Sequence, residues 1–253
     1  MIKIYFLGTG AGSPTLMRWA PSIAISNEGE IGLLDCGEGC QLRLQDAGIS
    51  IQRIRFIALT HTHGDHISGL LPLLQSMTLH DRKNTLDIIA PLMIKDLVDS
   101  FLRISGHKPS FNIEFRDPLS INTYNRVSVK GFRSCHSIES YGYLVEARSR
   151  RGFVRICYTG DTEFCREVIE RCRGVDIMIH DSTFSSEHSQ EALISRHSTA
   201  EDAARAAAES GAERLYLFHI SSRYSDLEEI LREARKIFKN TYIANDLDTI
   251  VIL

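Results

Sequence analysis

The chain of 253 residues has no apolar run approaching the roughly 18–20 residues that a membrane span requires. It has no excess of basic charge either: 29 Lys and Arg stand against 32 Asp and Glu, a net charge of -3. That balance disfavours a histone-like or arm-type nucleic-acid binder, while leaving room for a local basic patch. No Cys-x-x-Cys occurs among the six cysteines, Cys36, Cys40, Cys135, Cys157, Cys165 and Cys172. The expectation is reduced cysteines packed as small apolar groups, because neither a disulfide framework nor a thiolate zinc site has support. The N-terminal stretch from Met1 to Gly8 carries one Lys and a short apolar run, too short for a signal peptide, so the expected compartment is cytosolic. No Pro-, Ser- or Gly-rich linker, internal repeat or low-complexity tract divides the chain, which reads as one domain over residues 1–253.

What is present is an ordinary globular composition, 43% hydrophobic. Short apolar runs alternate with helical patterns. Strands are expected at 3–7, 22–26, 31–34, 55–59, 87–90, 111–115, 126–132, 141–145, 154–158, 177–179, 214–218 and 250–253. Ser198-Thr199-Ala200-Glu201 reads as a capping box opening an Ala-rich helix that Gly211 closes. Ser225-Asp226-Leu227-Glu228 repeats the device, with Leu227, Ile230, Leu231, Ala234 and Phe238 on one apolar face. Further helices are expected from Thr162 to Gly174, at 38–47, at 91–104 and within 64–77. Two β-rich halves with helices between them indicate an α/β fold of layered sheets.

Ten histidines are present, and their placement carries the chemistry. The strand at 55–59 runs into Thr60-His61-Thr62-His63-Gly64-Asp65-His66, which sets four potential metal ligands within six residues. A lone His in such a place is more often a surface or capping residue. Four polar ligands directly after a buried strand would cost several kcal/mol to bury unpartnered, so this cluster reads as a metal site. His and Asp donors without thiolate suit zinc, with manganese or iron as alternatives. Further ligands are expected at other strand ends: His136, Asp161 and His219.

The sequence here resembles the metallo-β-lactamase superfamily, and within it the ribonuclease Z family of tRNA 3′-processing endonucleases. The residues that carry the resemblance run nearly end to end. They are Phe6-Leu7-Gly8-Thr9-Gly10-Ala11-Gly12, Leu34-Asp35-Cys36-Gly37-Glu38-Gly39, the 61–66 signature with Ile67-Ser68-Gly69-Leu70, Ser140-Tyr141-Gly142-Tyr143, and His219-Ile220-Ser221-Ser222-Arg223-Tyr224. The resemblance implies an αββα sandwich and two zinc ions per chain. His61, His63 and His136 would hold one, Asp65, His66 and His219 the other, and Asp161 would bridge them. Two cations about 3.5 Å apart acidify a shared water and neutralise charge on a phosphodiester; Asp65 would also orient the nucleophile. His197, in His197-Ser198-Thr199, and Asp181, in His180-Asp181-Ser182-Thr183-Phe184, take the positions of the family's pair at the scissile phosphate. That pair helps protonate the departing 3′ oxygen. The family has Glu where this chain has Asp181, so a longer contact to His197 is expected. His180 reads as structural, and Ser198 and Arg18 as substrate contacts.

Two departures stand out. Only 24 residues separate His136 from Asp161, so the long arm that grips tRNA in most of the family is absent. In its place a hairpin is expected, with a solvated tip at Arg148, Arg150 and Arg151 and with Arg155 nearby. The loop Pro14-Thr15-Leu16-Met17-Arg18-Trp19 keeps only Pro14 and Arg18 of the family's Pro-x-Lys-x-Arg-Asn loop, and Trp19 could stack on a base or pack in the core. The expected substrate is precursor tRNA, with cyclic nucleotides or short oligonucleotides as the alternative. Lactone or thioester hydrolysis, and a non-catalytic metal module, stand behind these. A homodimer is expected from the resemblance.

Overall fold

The computed structural model describes residues 1–150 and 152–253, so Arg151 at the expected hairpin tip lies outside the described residues. The order of elements is β1 (Ile2–Gly8), β2 (Ser22–Asn27), β3 (Glu30–Leu34), α1 (Cys40–Asp46), β4 (Ile54–Ala58), α2 (Gly64–Ile67), α3 (Leu70–Leu79), β5 (Leu86–Ile89), α4 (Met93–Ser105) and β6 (Ile113–Arg116). The second half follows with β7 (Asn122–Thr123), β8 (Val127–Arg133), β9 (Tyr141–Ser149), β10 (Gly152–Tyr158), α5 (Arg166–Arg171), β11 (Ile177–Asp181), α6 (Ser189–Ser195), α7 (Ala200–Ser210), β12 (Leu215–Phe218), α8 (Glu228–Ile237), β13 (Thr241–Ile243) and β14 (Thr249–Ile252). They form two seven-stranded sheets, ordered β14-β1-β2-β3-β4-β5-β6 and β13-β12-β11-β10-β9-β8-β7.

The period of two along each strand builds the layers. Ile2, Ile4 and Phe6 of β1 enter the core between the sheets, while Tyr5 and Leu7 point to the other face, against the helices of the first half. On the second sheet Ile156, Tyr158, Ile177 and Ile179 face inward, and Cys157 and Met178 face α5 and α7. Three apolar clusters therefore stack in order: helices on sheet, sheet on sheet, sheet on helices. This is the expected αββα sandwich. Strands β3 to β6 run parallel, as do β10 to β13. The loops after β3, β4, β10, β11 and β12, together with the β8–β9 connection, gather at one edge, which is where parallel sheets place their sites.

Several local expectations are corrected. The helix placed at Thr162 begins at Arg166, because the Thr162 hydroxyl accepts the Cys135 N–H and donates to Glu163 O, holding the chain off helix. The capping box sits one residue later than read: Thr199 accepts the Asp202 N–H and Asp202 accepts the Thr199 N–H. Asp226 takes the Glu228 N–H, so α8 starts at Glu228, two residues later than a cap at Ser225 would place it. The 64–77 stretch splits into α2 and α3 at Gly69, where a Cβ would meet the Gly37 carbonyl oxygen at 2.0 Å. Strands β7 and β13 and helix α6 are too short to leave a periodic signature.

The cysteine expectation fails for four of six residues. Cys135 is joined to Cys165 and Cys157 to Cys172, with Cα separations of 6.5 and 5.7 Å, while Cys36 and Cys40 are free and buried. The partners lie 30 and 15 residues apart in the chain, with no spacing motif, and only the packing of α5 on the second sheet brings them together.

Candidate metal centre

At the shared edge of the sheets, His61, His63, His136 and Asp161 place ligand atoms within 4.8 Å of one another, and Asp65, His66 and His219 do the same beside them. Asp161 lies between the two groups. Its Oδ2 faces His61 Nε2 at 3.5 Å and His136 Nε2 at 3.8 Å; its Oδ1 faces His66 Nε2 at 3.2 Å and His219 Nε2 at 3.4 Å. Asp65 Oδ2 completes the second group, 3.3 Å from His219 Nε2 and 3.6 Å from His66 Nε2. Gly37 and Gly160 permit this crowding. A Cβ on Gly37 would sit 2.3 Å from the Asp65 carbonyl oxygen, and Gly160, at φ 59°, packs on Thr60.

Outer hydrogen bonds aim the rings. The Thr60 hydroxyl donates to Asp35 and so accepts from His61 Nδ1 at 2.9 Å. Thr183 repeats the relay, donating to Asp181 Oδ1 at 2.7 Å and accepting from His219 Nδ1 at 2.8 Å. His66 Nδ1 donates to Asp35 Oδ2 at 2.7 Å, and His136 Nδ1 donates to the Arg196 carbonyl at 2.9 Å. With the outward nitrogen of each ring protonated, the inward Nε2 carries a lone pair. The inward ring nitrogens face one another across short gaps: His61 Nε2 lies 2.9 Å from His63 Nδ1, and His66 Nε2 3.4 Å from His219 Nε2. Asp161 Oδ1 is buried without a hydrogen-bond partner. Converging lone pairs and an orphaned carboxylate oxygen are satisfied by cations, so the donor set fits metal ions.

Charge state agrees with this at the first group. Burial pushes His61 down to about 2 and also lowers His63 and His136, which keeps those imidazoles neutral and ready to ligate. His66 is different: burial opposes its charge, but Asp161 and Asp35 outweigh burial and raise it well above the usual range. Burial likewise opposes charge on Asp65 and Asp161, yet the surrounding imidazoles hold both carboxylates below their ordinary values.

His197 and Asp181 adjoin the cluster. Asp181 Oδ2 lies 2.7 Å from His197 Nδ1, so the expected lengthening is not found. The remaining capacity of Asp181 is filled by the Thr162 and Thr183 N–H groups and the Thr183 hydroxyl, which removes it as a free metal ligand. The His197 ring stacks on His219, with centroids 5.2 Å apart, and lines a cavity of about 310 Å³ with Gly12, His63, Asp65, Phe184 and Ser195. Burial works against its charge, but Asp181 prevails and pushes His197 up to about 9. Volume alone does not mark this site: a cavity of about 510 Å³ lies elsewhere, beside α1, lined by Gln41, Gln45, Gln52 and His80.

Arg18 and Ser198 are not brought to this cavity. The Arg18 guanidinium donates to Thr9, the Ala244 carbonyl and Asn245, bracing its loop against the chain near the C-terminus. The Ser198 hydroxyl is fully buried and donates to the Thr162 carbonyl. Trp19 is half-buried over Gly39, with the Arg43 guanidinium 5.5 Å from its ring. His180 is buried, with Nδ1 donating to the Asp181 carbonyl. Asp35, Thr60, Thr183 and Arg196 were given no role from sequence. Two signals point to Asp35: it directly follows the apolar strand at 31–34, and it lies in the Leu34–Gly39 stretch that carries the resemblance.

A family model described as "Beta-lactamase superfamily domain" matches residues 33–220, a span holding all seven ligand candidates. The chain belongs to the β-lactamase superfamily. Within it the chain is 39% identical to a protein named ribonuclease Z from Saccharolobus islandicus, over the full length of both, and 36% identical to one from Metallosphaera sedula over 98% of each. It is thus a member of the ribonuclease Z family. The first alignment runs over 298 positions against 253 residues here, so that relative carries stretches this chain lacks. Among solved structures, human tRNase Z, short form, superposes with a TM-score of 0.85 at 29% identity over 99% of each chain. Yeast PDE1, at a TM-score of 0.70 and 16% identity, shares the superfamily fold. As a member of this family the protein is a metal-dependent hydrolase.

Proposed function

We propose that the protein is an endoribonuclease that trims the 3′ ends of precursor tRNA, working with two divalent cations, zinc by preference. His61, His63, His136 and Asp161 would hold one ion, and Asp65, His66 and His219, again with Asp161, would hold the other. When bound, the ions supply Lewis acidity that makes water nucleophilic near neutral pH and offsets charge on the phosphodiester. Asp65 is held for orienting work, since its Oδ2 accepts the Gly12 N–H at 2.9 Å while facing the cluster. His197, charged and oriented by Asp181, directs its other ring nitrogen into the cavity and donates a proton to the departing 3′ oxygen.

One observation carries the general-acid step: the 2.7 Å Asp181–His197 pair beside the cluster. An alkoxide leaving group needs a proton, and a carboxylate-held imidazolium supplies one. The choice of tRNA is supported by the full-length likeness to proteins named ribonuclease Z. A second reading, hydrolysis of cyclic nucleotides or short oligonucleotides, is favoured by the plain β9–β10 hairpin between His136 and Asp161, in place of a tRNA-gripping arm.

A single zinc-loaded preparation assayed on precursor tRNA, cyclic nucleotide and a chromogenic phosphodiester, with His61→Ala as control, tests both. Selective cleavage of precursor tRNA at its 3′ side is expected. Equal turnover of short and full-length RNA would transfer support to the second reading, and no phosphodiester cleavage would end both.

A further inference from the structure

The loop between β8 and β9 carries His136 and lies against the segment that follows Asp161. Glu163 N–H donates to the Cys135 carbonyl at 2.8 Å, and Cys135 N–H donates to the Thr162 hydroxyl at 3.2 Å. Arg196 clasps the loop from the other side: its Nη1 donates to the His136 carbonyl at 3.0 Å and its Nη2 to Glu163 at 3.2 Å. All these ties are hydrogen bonds at a half-buried surface, where water competes for them. The covalent tie is Cys135–Cys165. It starts directly before one ligand candidate and ends shortly after another. Both of its sulfurs belong to half-buried residues, whereas Cys157 and Cys172 are fully buried.

We propose that the Cys135–Cys165 disulfide is a positioning element of the metal centre. It holds the His136 loop against the Asp161 segment, and opening it lowers metal retention on the His136 side. The proposal rests on the metal-centre reading above. Without the bridge, His136 keeps only the exchangeable contacts, and loss of outer groups that orient a ligand typically weakens metal binding about 10–100-fold. Opening by a water-soluble trialkylphosphine is chemically complete. Phosphorus gives two electrons to the S–S bond, water gives two protons to the sulfurs, and its oxygen stays on phosphorus as the phosphine oxide.

The test compares four forms of the full chain: oxidised, phosphine-treated, Cys135→Ser with Cys165→Ser, and Cys157→Ser with Cys172→Ser. Alkylation and mass spectrometry establish which bridge is open. Each zinc-loaded form is challenged with a chelating dye, and each metal-free form is followed by amide hydrogen exchange over residues 134–140. The expected result is that half of the zinc leaves about tenfold faster when Cys135–Cys165 is open. The loop loses protection in the same forms, and the Cys157/Cys172 variant behaves like the oxidised protein in both measurements. Unchanged zinc release and unchanged loop protection with Cys135 and Cys165 shown to be reduced would overturn the proposal. If the oxidised protein takes up no zinc, the metal-centre reading falls, and loop exchange still decides whether the bridge positions the loop.

Discussion

Asp35 contacts no substrate cavity, yet it decides how His66 and His61 are presented. Its carboxylate takes the His66 Nδ1–H, the Tyr158 hydroxyl, and the N–H and hydroxyl of Thr60. Its φ of 58° is a conformation that Asn also tolerates, so Asp35→Asn removes charge with little change of backbone. Metal affinity in that variant is expected to fall about 10–100-fold, read by competition with a chelating dye. His197 makes a different prediction. With His197→Ala, cleavage of RNA is expected to slow by about 10²–10⁴-fold, the usual worth of a general acid. A nitrophenyl phosphodiester, whose leaving group departs without a proton, should lose far less. Equal losses on both substrates would show that His197 does something other than protonate.

Among the elements, α7 sets the place of His197 because the chain leaves that residue directly into the helix start. Thr199 caps α7 reciprocally with Asp202, and Ala200, Ala203, Ala204 and Ala207 let the helix lie close on the second sheet. Thr199→Ala should cost about 1 kcal/mol in denaturant unfolding, the loss of one N-cap. The bridge between β10 and the end of α5, Cys157–Cys172, closes a 15-residue separation beneath the same layer. Replacing both cysteines by Ala is expected to lower stability by about 3 kcal/mol, as the unfolded chain regains its freedom. The absence of any change in the denaturation midpoint would argue that the two sulfurs are not joined.

For the molecule as a whole, the site stands at one edge of both sheets and the β9–β10 tip at the other. A strand of seven residues spans about 20 Å, which separates Arg148 and Arg150 from the cluster. Arg155, read from sequence with this tip, is instead tied to the Arg173 and Gly174 carbonyls. Charge reversal by Arg148→Glu with Arg150→Glu should therefore leave kcat/KM on a short phosphodiester unchanged. Metal removal acts on everything: ions that bind only the folded state stabilise it by about 2.7 kcal/mol at a hundred times Kd. Chelation should abolish hydrolysis and lower Tm by several degrees, roughly 2–4 °C per kcal/mol for a chain of this size. Among the described residues no helix is long and apolar enough to cross a membrane.

The alternation of apolar residues was enough to place the main strands, since a period of two acts within one strand and needs no partner. The 61–66 signature was equally legible, because its ligands are packed into one loop. Which group aims each ligand was not. Asp35 reaches His66 across 31 residues and Arg196 reaches His136 across 60, through sheet order and a loop conformation that no local pattern encodes. The disulfides lie beyond local patterns for the same reason, and the starts of α7 and α8 shift because Thr199 and Asp226, rather than the adjacent Ser198 and Ser225, accept the first free N–H groups. Local chemistry settled which residues could do the work; only the register of two sheets settled which atoms face one another.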